Sequence, residues 1–131
     1  MLITQEQLPA LKLSSMHKAH EKEIELISKL HAVAKKSEAK AVLEQLSKLL
    51  EHTRGYFAEE ERLMQKAQYP DYPIHKHEHA KQLMDLQSIL SFYEMTNDTQ
   101  SIAAYLEDTL TPWITEHVHN MDSAASEFLK Q

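Results

Sequence analysis

The chain has 131 residues, 20 acidic and 14 basic, with a formal charge of −6 and no cysteine. That length buries a core without covalent staples, and the missing cysteines exclude disulfides, thiolate zinc sites, iron–sulfur clusters and cysteine nucleophiles. The basic residues are spread along the chain rather than gathered into a stripe, so no nucleic acid partner is expected. One glycine and four prolines stand against abundant Ala, Leu, Lys, Glu, Gln and Met, a balance that favours helix and leaves little turn chemistry for a sheet. The expected fold is all-α, a single domain over residues 1–131. The N-terminal sequence MLITQEQLPAL lacks the basic start and apolar run of a secretory signal, and no later stretch has the length of a membrane span. A soluble, cytoplasmic protein that does not enter a membrane is the default expectation.

Residues Met1 to Leu13 carry Pro9 and scattered apolar positions and read as an extended arm. Ser14 or Ser15 can cap a first helix running to about Lys36, with Ile24, Leu26, Ile27, Leu30 and Val33 as its apolar stripe. Ser37 can cap a second, from Glu38 to about Ala67, with Val42, Leu46, Leu49, Leu50, Phe57 and Met64 inward, before YPDYP breaks it. A third starts near Pro73 and runs through Leu83, Leu86, Ile89 and Leu90 to about Met95. TNDT supplies a turn, and a fourth helix runs from near Thr99 to Leu129 with Pro112 inside it, predicting a kink or interruption after Leu110. Short connections make the four helices antiparallel neighbours in an up-down-up-down four-helix bundle.

Nine histidines are the unusual feature of the composition. His75 and His79, in IHKHEHAK, are four apart, a helical rotation of only about 40°, so both imidazoles can reach one ion. Taken alone, such a pair is also what a surface coincidence produces. Glu60, in YFAEEERLM, lies in register with Phe57 and Met64, where a carboxylate needs a cation. Glu59 and Glu61 rotate away and read as solvated face residues. In WITEHVHNMD, His117 and Asp122 are five apart, a rotation near 140° that does not place both on one ideal stripe. They serve together if they straddle two ions or if the Pro112 distortion retunes the helix. His20 adds a nitrogen from the first helix. Several imidazoles with two carboxylates suit iron, manganese or zinc, and the carboxylates can bridge two ions.

Taken in order, HEKEIEL around His20, YFAEEERLM around Glu60, HKHEH from His75 to His79, and WITEHVHNMD from Trp113 to Asp122 resemble the bacterial hemerythrins over nearly the whole chain. The resemblance implies two iron ions joined by an oxo or hydroxo bridge. One would be held by His75, His79 and His117 and the other by His20, with Glu60 and Asp122 bridging. It departs at one ligand: where the family has His four residues before the bridging Glu, this chain has Tyr56. Two roles are open to Tyr56. Its oxygen can ligate the second iron as phenolate, or its hydroxyl can bind another polar group as in an ordinary core tyrosine. His52, one turn back, is too far along the axis to substitute. His17, His31, His77 and His119 are expected at the surface or in local hydrogen bonds, Trp113 in packing, and Gly55 at a close helix approach.

The function implied is dioxygen binding for carriage, storage or sensing, with no substrate turned over. The alternatives are a diiron redox enzyme acting on peroxide or nitric oxide and a hemerythrin-like protein whose oxygen binding Tyr56 has altered. A ferritin-like diiron site needs two Glu-x-x-His pairs, and the chain offers only Glu116 with His119. A metal-free helical interaction module leaves a histidine- and carboxylate-rich interior unexplained.

Overall fold

The computed structural model describes residues 2–129, all helix, turn or irregular chain with no strand among them. Helix α1 spans Ser14–Lys35, α2 spans Ala39–Lys66 and α3 spans Tyr72–Thr96. A fourth long helix, residues 99–129, is continuous but not uniform. It alternates α-helical Thr99–Tyr105, π-helical Leu106–Leu110, α-helical Thr111–His117, π-helical Val118–Asp122 and α-helical Ser123–Leu129. The antiparallel bundle expected from the connections is what forms, with α2 against both α1 and α3 and the fourth helix against α1.

The caps differ from expectation. Leu13 occupies the cap of α1 and Glu38 that of α2, each without a side-chain cap bond, and Ser37 sits instead in the left-handed turn between them at φ 59°. Pro73 lies in the first turn of α3, where a missing N–H costs nothing. Asp98 caps the fourth helix, accepting from the Ser101 backbone N–H at 3.1 Å. Pro112 does not end that helix. The widened π-helical turn at Leu106–Leu110 immediately precedes it and absorbs the ring and the lost donor. The arm contains a short 3₁₀ turn, Gln5–Gln7, and buries Ile3 and Leu8 on the bundle. Gly55 is not a close approach: a Cβ there would meet nothing within 4 Å.

Two apolar clusters of unequal size organise the interior. The larger gathers Ile27, Leu30, Leu46, Leu49, Leu86, Ile102 and Leu106 among others, and the smaller is Met16, Met64, Tyr69 and Ala125. On each helix the residues between the two clusters are polar and buried: His20 and Glu23 on α1, Glu60 on α2, His75 and His79 on α3, His117 and Asp122 on the fourth.

Candidate metal centre

His20, Glu60, His75, His79, His117 and Asp122, six of the seven ligand candidates, are each 5% exposed or less. They fall into two groups that share Asp122: His75, His79, His117 and Asp122, and His20, Glu60 and Asp122, with the ligand atoms of each group within 4.8 Å of one another. His75 and His79 meet because four residues of α-helix bring side chains back to one face. His117 and Asp122 meet for a different reason. The turn between them, Val118–Asp122, is π-helical, and a π-turn returns to the same face after five residues rather than four.

Both carboxylates divide their oxygens. Asp122 turns Oδ1 to His75 Nε2 at 2.9 Å and His117 Nε2 at 3.1 Å, and Oδ2 to His20 Nε2 at 2.9 Å. Glu60 turns Oε1 to His79 Nε2 at 3.2 Å and His75 Nε2 at 3.6 Å, and Oε2 to His20 Nε2 at 4.0 Å. None of these atoms has an aligned hydrogen bond, although all are fully enclosed. Buried polar atoms are ordinarily satisfied, so a cluster in which four imidazole nitrogens and four carboxylate oxygens go without donors suits a cation at its centre.

The charges reflect the same crowding. Burial raises the carboxyl of Asp122, but the close imidazoles of His117, His20 and His75 outweigh it and hold Asp122 well below its usual range. For His75 burial favours the neutral ring, yet Asp122 and Glu60 prevail and push it up to about 9. His20 moves up in the same way, burial being overcome mainly by Asp122.

The surroundings orient the candidate ligands. His79 Nδ1 lies 2.9 Å from Glu61 Oε2, so the N–H there donates to the carboxylate and leaves Nε2 as the free lone pair. Glu61 is therefore not the solvated face residue its position suggested. Glu59 does keep to the surface, paired with Arg62. Phe57 stacks on His79 with centroids 3.8 Å apart, and Trp113 on His117 at 4.5 Å, so the tryptophan touches a candidate ligand rather than only filling space.

Tyr56 is half-buried, its hydroxyl end enclosed. That hydroxyl lies against Glu23, a buried carboxylate that sequence reasoning passed over. Burial, with the carboxylates of Glu23 and Glu60, holds the phenol well above its ordinary pKa. Burial likewise lifts Glu23 to about 7 against the hydrogen bonds of Tyr56 and Thr53. The signal for Glu23 was present: it stands three residues after His20, on the same face. Next to Lys22 and between Glu21 and Glu25, it resembled any surface glutamate.

The remaining histidines stand apart. His52 Nε2 donates to the Ala19 carbonyl at 3.0 Å, His31 pairs with Glu107 at 2.7 Å, His119 Nε2 donates to the Gln7 carbonyl at 3.0 Å, and His77 is exposed. Glu116 and His119 are both exposed and build no ferritin-like pair.

The family model of the hemerythrin HHE cation binding domain matches residues 11–129. A bacteriohemerythrin of Aquifex aeolicus is 25% identical over 129 residues, covering 98% of each chain. One of Stenotrophomonas maltophilia is 25% identical across 99% of this chain and 82% of its own. Myohemerythrin of Sipunculus nudus is 31% identical over 77 residues, 59% of this chain and 57% of that protein. A crystal structure of wild-type hemerythrin superimposes with a TM-score of 0.81 over 100% of this chain and 98% of that one, at 20% identity. The shared fold, the match along almost the entire chain and the buried set of imidazoles and carboxylates that can hold a metal place this protein in the hemerythrin HHE family.

Proposed function

We propose that this chain is a non-heme diiron protein that binds dioxygen reversibly, for carriage, storage or sensing. The observation that carries the reading is the division of Glu60 and Asp122, each with one oxygen toward the histidines of α3 or the fourth helix and the other toward His20. Two carboxylates so placed suit a pair of ions better than one. His75, His79 and His117 would hold the first iron, His20 the second, and Glu60 and Asp122 both. An iron pair held there would supply the electrons that dioxygen takes up on binding and returns on release.

The chain's own residues would set the conditions for that binding. Glu61 fixes the His79 ring, and Phe57 and Trp113 hold two imidazoles by their faces, which favours a fixed coordination geometry. The larger apolar cluster closes one end of the site and Met16 and Met64 the other, keeping water from the buried charges. A cavity of about 30 Å³, lined by Met16, Ala19, Tyr56, Glu60 and Leu63 among others, reaches the Glu60 side chain and has room for a very small molecule.

A visible absorption spectrum tests this. The iron-loaded protein is reduced without oxygen, exposed to air and then deoxygenated, with iron per chain determined on the same sample. Two irons and an oxygenated spectrum that reverses on deoxygenation are expected. A spectrum that does not reverse, with steady consumption of added peroxide, would contradict the carrier reading in favour of redox turnover.

A further inference from the structure

We infer that Glu23, rather than Tyr56, completes the second metal site, and that Tyr56 serves as a positioning residue whose hydroxyl steadies the Glu23 carboxylate. This rests on the two-iron reading above. Glu23 is 3% exposed and stands one turn from His20 on the inward face of α1. One of its oxygens is fixed: Thr53 donates its hydroxyl to Oε1 at 2.8 Å, across from α2. The other, Oε2, is enclosed and has no hydrogen-bond partner, and the Tyr56 hydroxyl lies beside the carboxylate. Glu23 and His20, three residues apart in α1 and both buried, share one face of the helix, which puts the carboxylate on the side of the second group.

The chemistry favours the carboxylate. The Tyr56 ring packs edge-on to His20 and against His52 and Phe57, as a core aromatic does, whereas Glu23 keeps an enclosed oxygen with no hydrogen-bond partner. Glu23 offers an oxygen already at the site and already oriented by a hydroxyl from the neighbouring helix. The tight group of His20, Glu60 and Asp122 stops short of Glu23, so ligation requires its side chain to turn toward that group. The two sites then differ in kind: three imidazoles and two shared carboxylates in the first, one imidazole with Glu23 and the shared carboxylates in the second. The oxygen-rich site suits the harder ion of a pair, ferric over ferrous.

The test is equilibrium binding of ferrous ion, added without oxygen to the full chain, in the wild type and in Glu23→Gln, Glu23→Ala and Tyr56→Phe. Metal content and helical circular dichroism are followed on the same samples. The wild type is expected to bind two ions. Both Glu23 variants should keep the first ion at wild-type affinity, which reports that the bundle is intact, and bind the second about 100-fold more weakly or not at all. Tyr56→Phe should retain both ions, with the second weakened about tenfold at most. The oxidised wild type should show no phenolate-to-iron absorption band. Two ions at unchanged affinity in the Glu23 variants, loss of the second ion in Tyr56→Phe, or a phenolate band in the wild type each overturns the role given to Glu23. A wild type that holds fewer than two ions overturns the two-iron reading itself, so the two failures are distinguishable.

Discussion

A carboxylate removed from both water and hydrogen-bond donors persists only beside positive charge, and Asp122 meets that condition with imidazoles on both oxygens. Protons and a bound metal would compete for this arrangement. His75, held at about 9 in the folded chain against an ordinary 6.5, keeps a proton that the unfolded chain releases earlier. The raised pKa stabilises the metal-stripped bundle fully below pH 6.5, and the contribution is lost as pH rises through about 9. Glu23, raised to about 7, acts with the same sign at lower pH, since its burial is cheaper while it is protonated. The thermal midpoint of the chelator-treated chain is therefore expected to fall on going from pH 6.5 to pH 9, and a midpoint that rises over that span would contradict the assignment. Iron binding should run the other way, tightening with pH and releasing protons as it displaces them, which calorimetry in buffers of different ionisation enthalpy measures directly. At this scale the sequence was informative where spacing carried meaning. His75 and His79 declared themselves by four-residue periodicity and Glu60 by its apolar register. Glu61 and Glu23 did not, because a carboxylate that faces inward from a helix edge has the same local sequence as one that faces water.

Among the elements, the fourth helix departs furthest from what its sequence suggested. Pro112 and the five-residue spacing of His117 and Asp122 each pointed to irregularity, and the helix resolves both by widening a turn, at Leu106–Leu110 and at Val118–Asp122. Periodicity arguments assume one residue count per turn, so they register such a turn only as a ligand pair that will not line up. A π-turn is one residue more than an α-turn, which makes its removal a clean test. Deleting the exposed Asn120 should return the segment to α-helix with the histidine and aspartate four apart, leaving Ala125 and the buried Ser126, which accepts from the Leu13 N–H at 2.8 Å, in place. That variant is expected to keep two irons and a thermal midpoint within about 5 °C of the wild type, an effect of at most about 1 kcal/mol. An alanine inserted after Asn120 turns everything beyond it by about 100° and should abolish iron binding. Iron lost on deletion and retained on insertion would show that the π-turn does not set the spacing. The helix boundaries were legible to within a residue or two, as short turns and prolines usually allow, whereas the caps assigned to Ser14, Ser15 and Ser37 were not, because the backbone there turns by other means.

Across the whole molecule, the site is a polar layer inserted between two apolar clusters of one bundle, so that every helix contributes a ligand candidate at the same level. This arrangement explains why the fold and most of the site could be read together. The stripe that buries Leu30, Leu46, Leu86 and Ile102 continues on each helix into the polar layer, and the register that positions the core also positions the ligands. Ions bound in this layer, to the folded chain and not the unfolded one, would hold all four helices together and so tie stability to metal. Anomalous diffraction at the iron absorption edge, from crystals of the iron-loaded protein, shows whether two irons lie in this layer. Two peaks per chain are expected, one among His75, His79 and His117 and one between His20 and Glu23, with Glu60 and Asp122 touching both. A single peak, or peaks confined to surface histidines such as His77, would contradict the account.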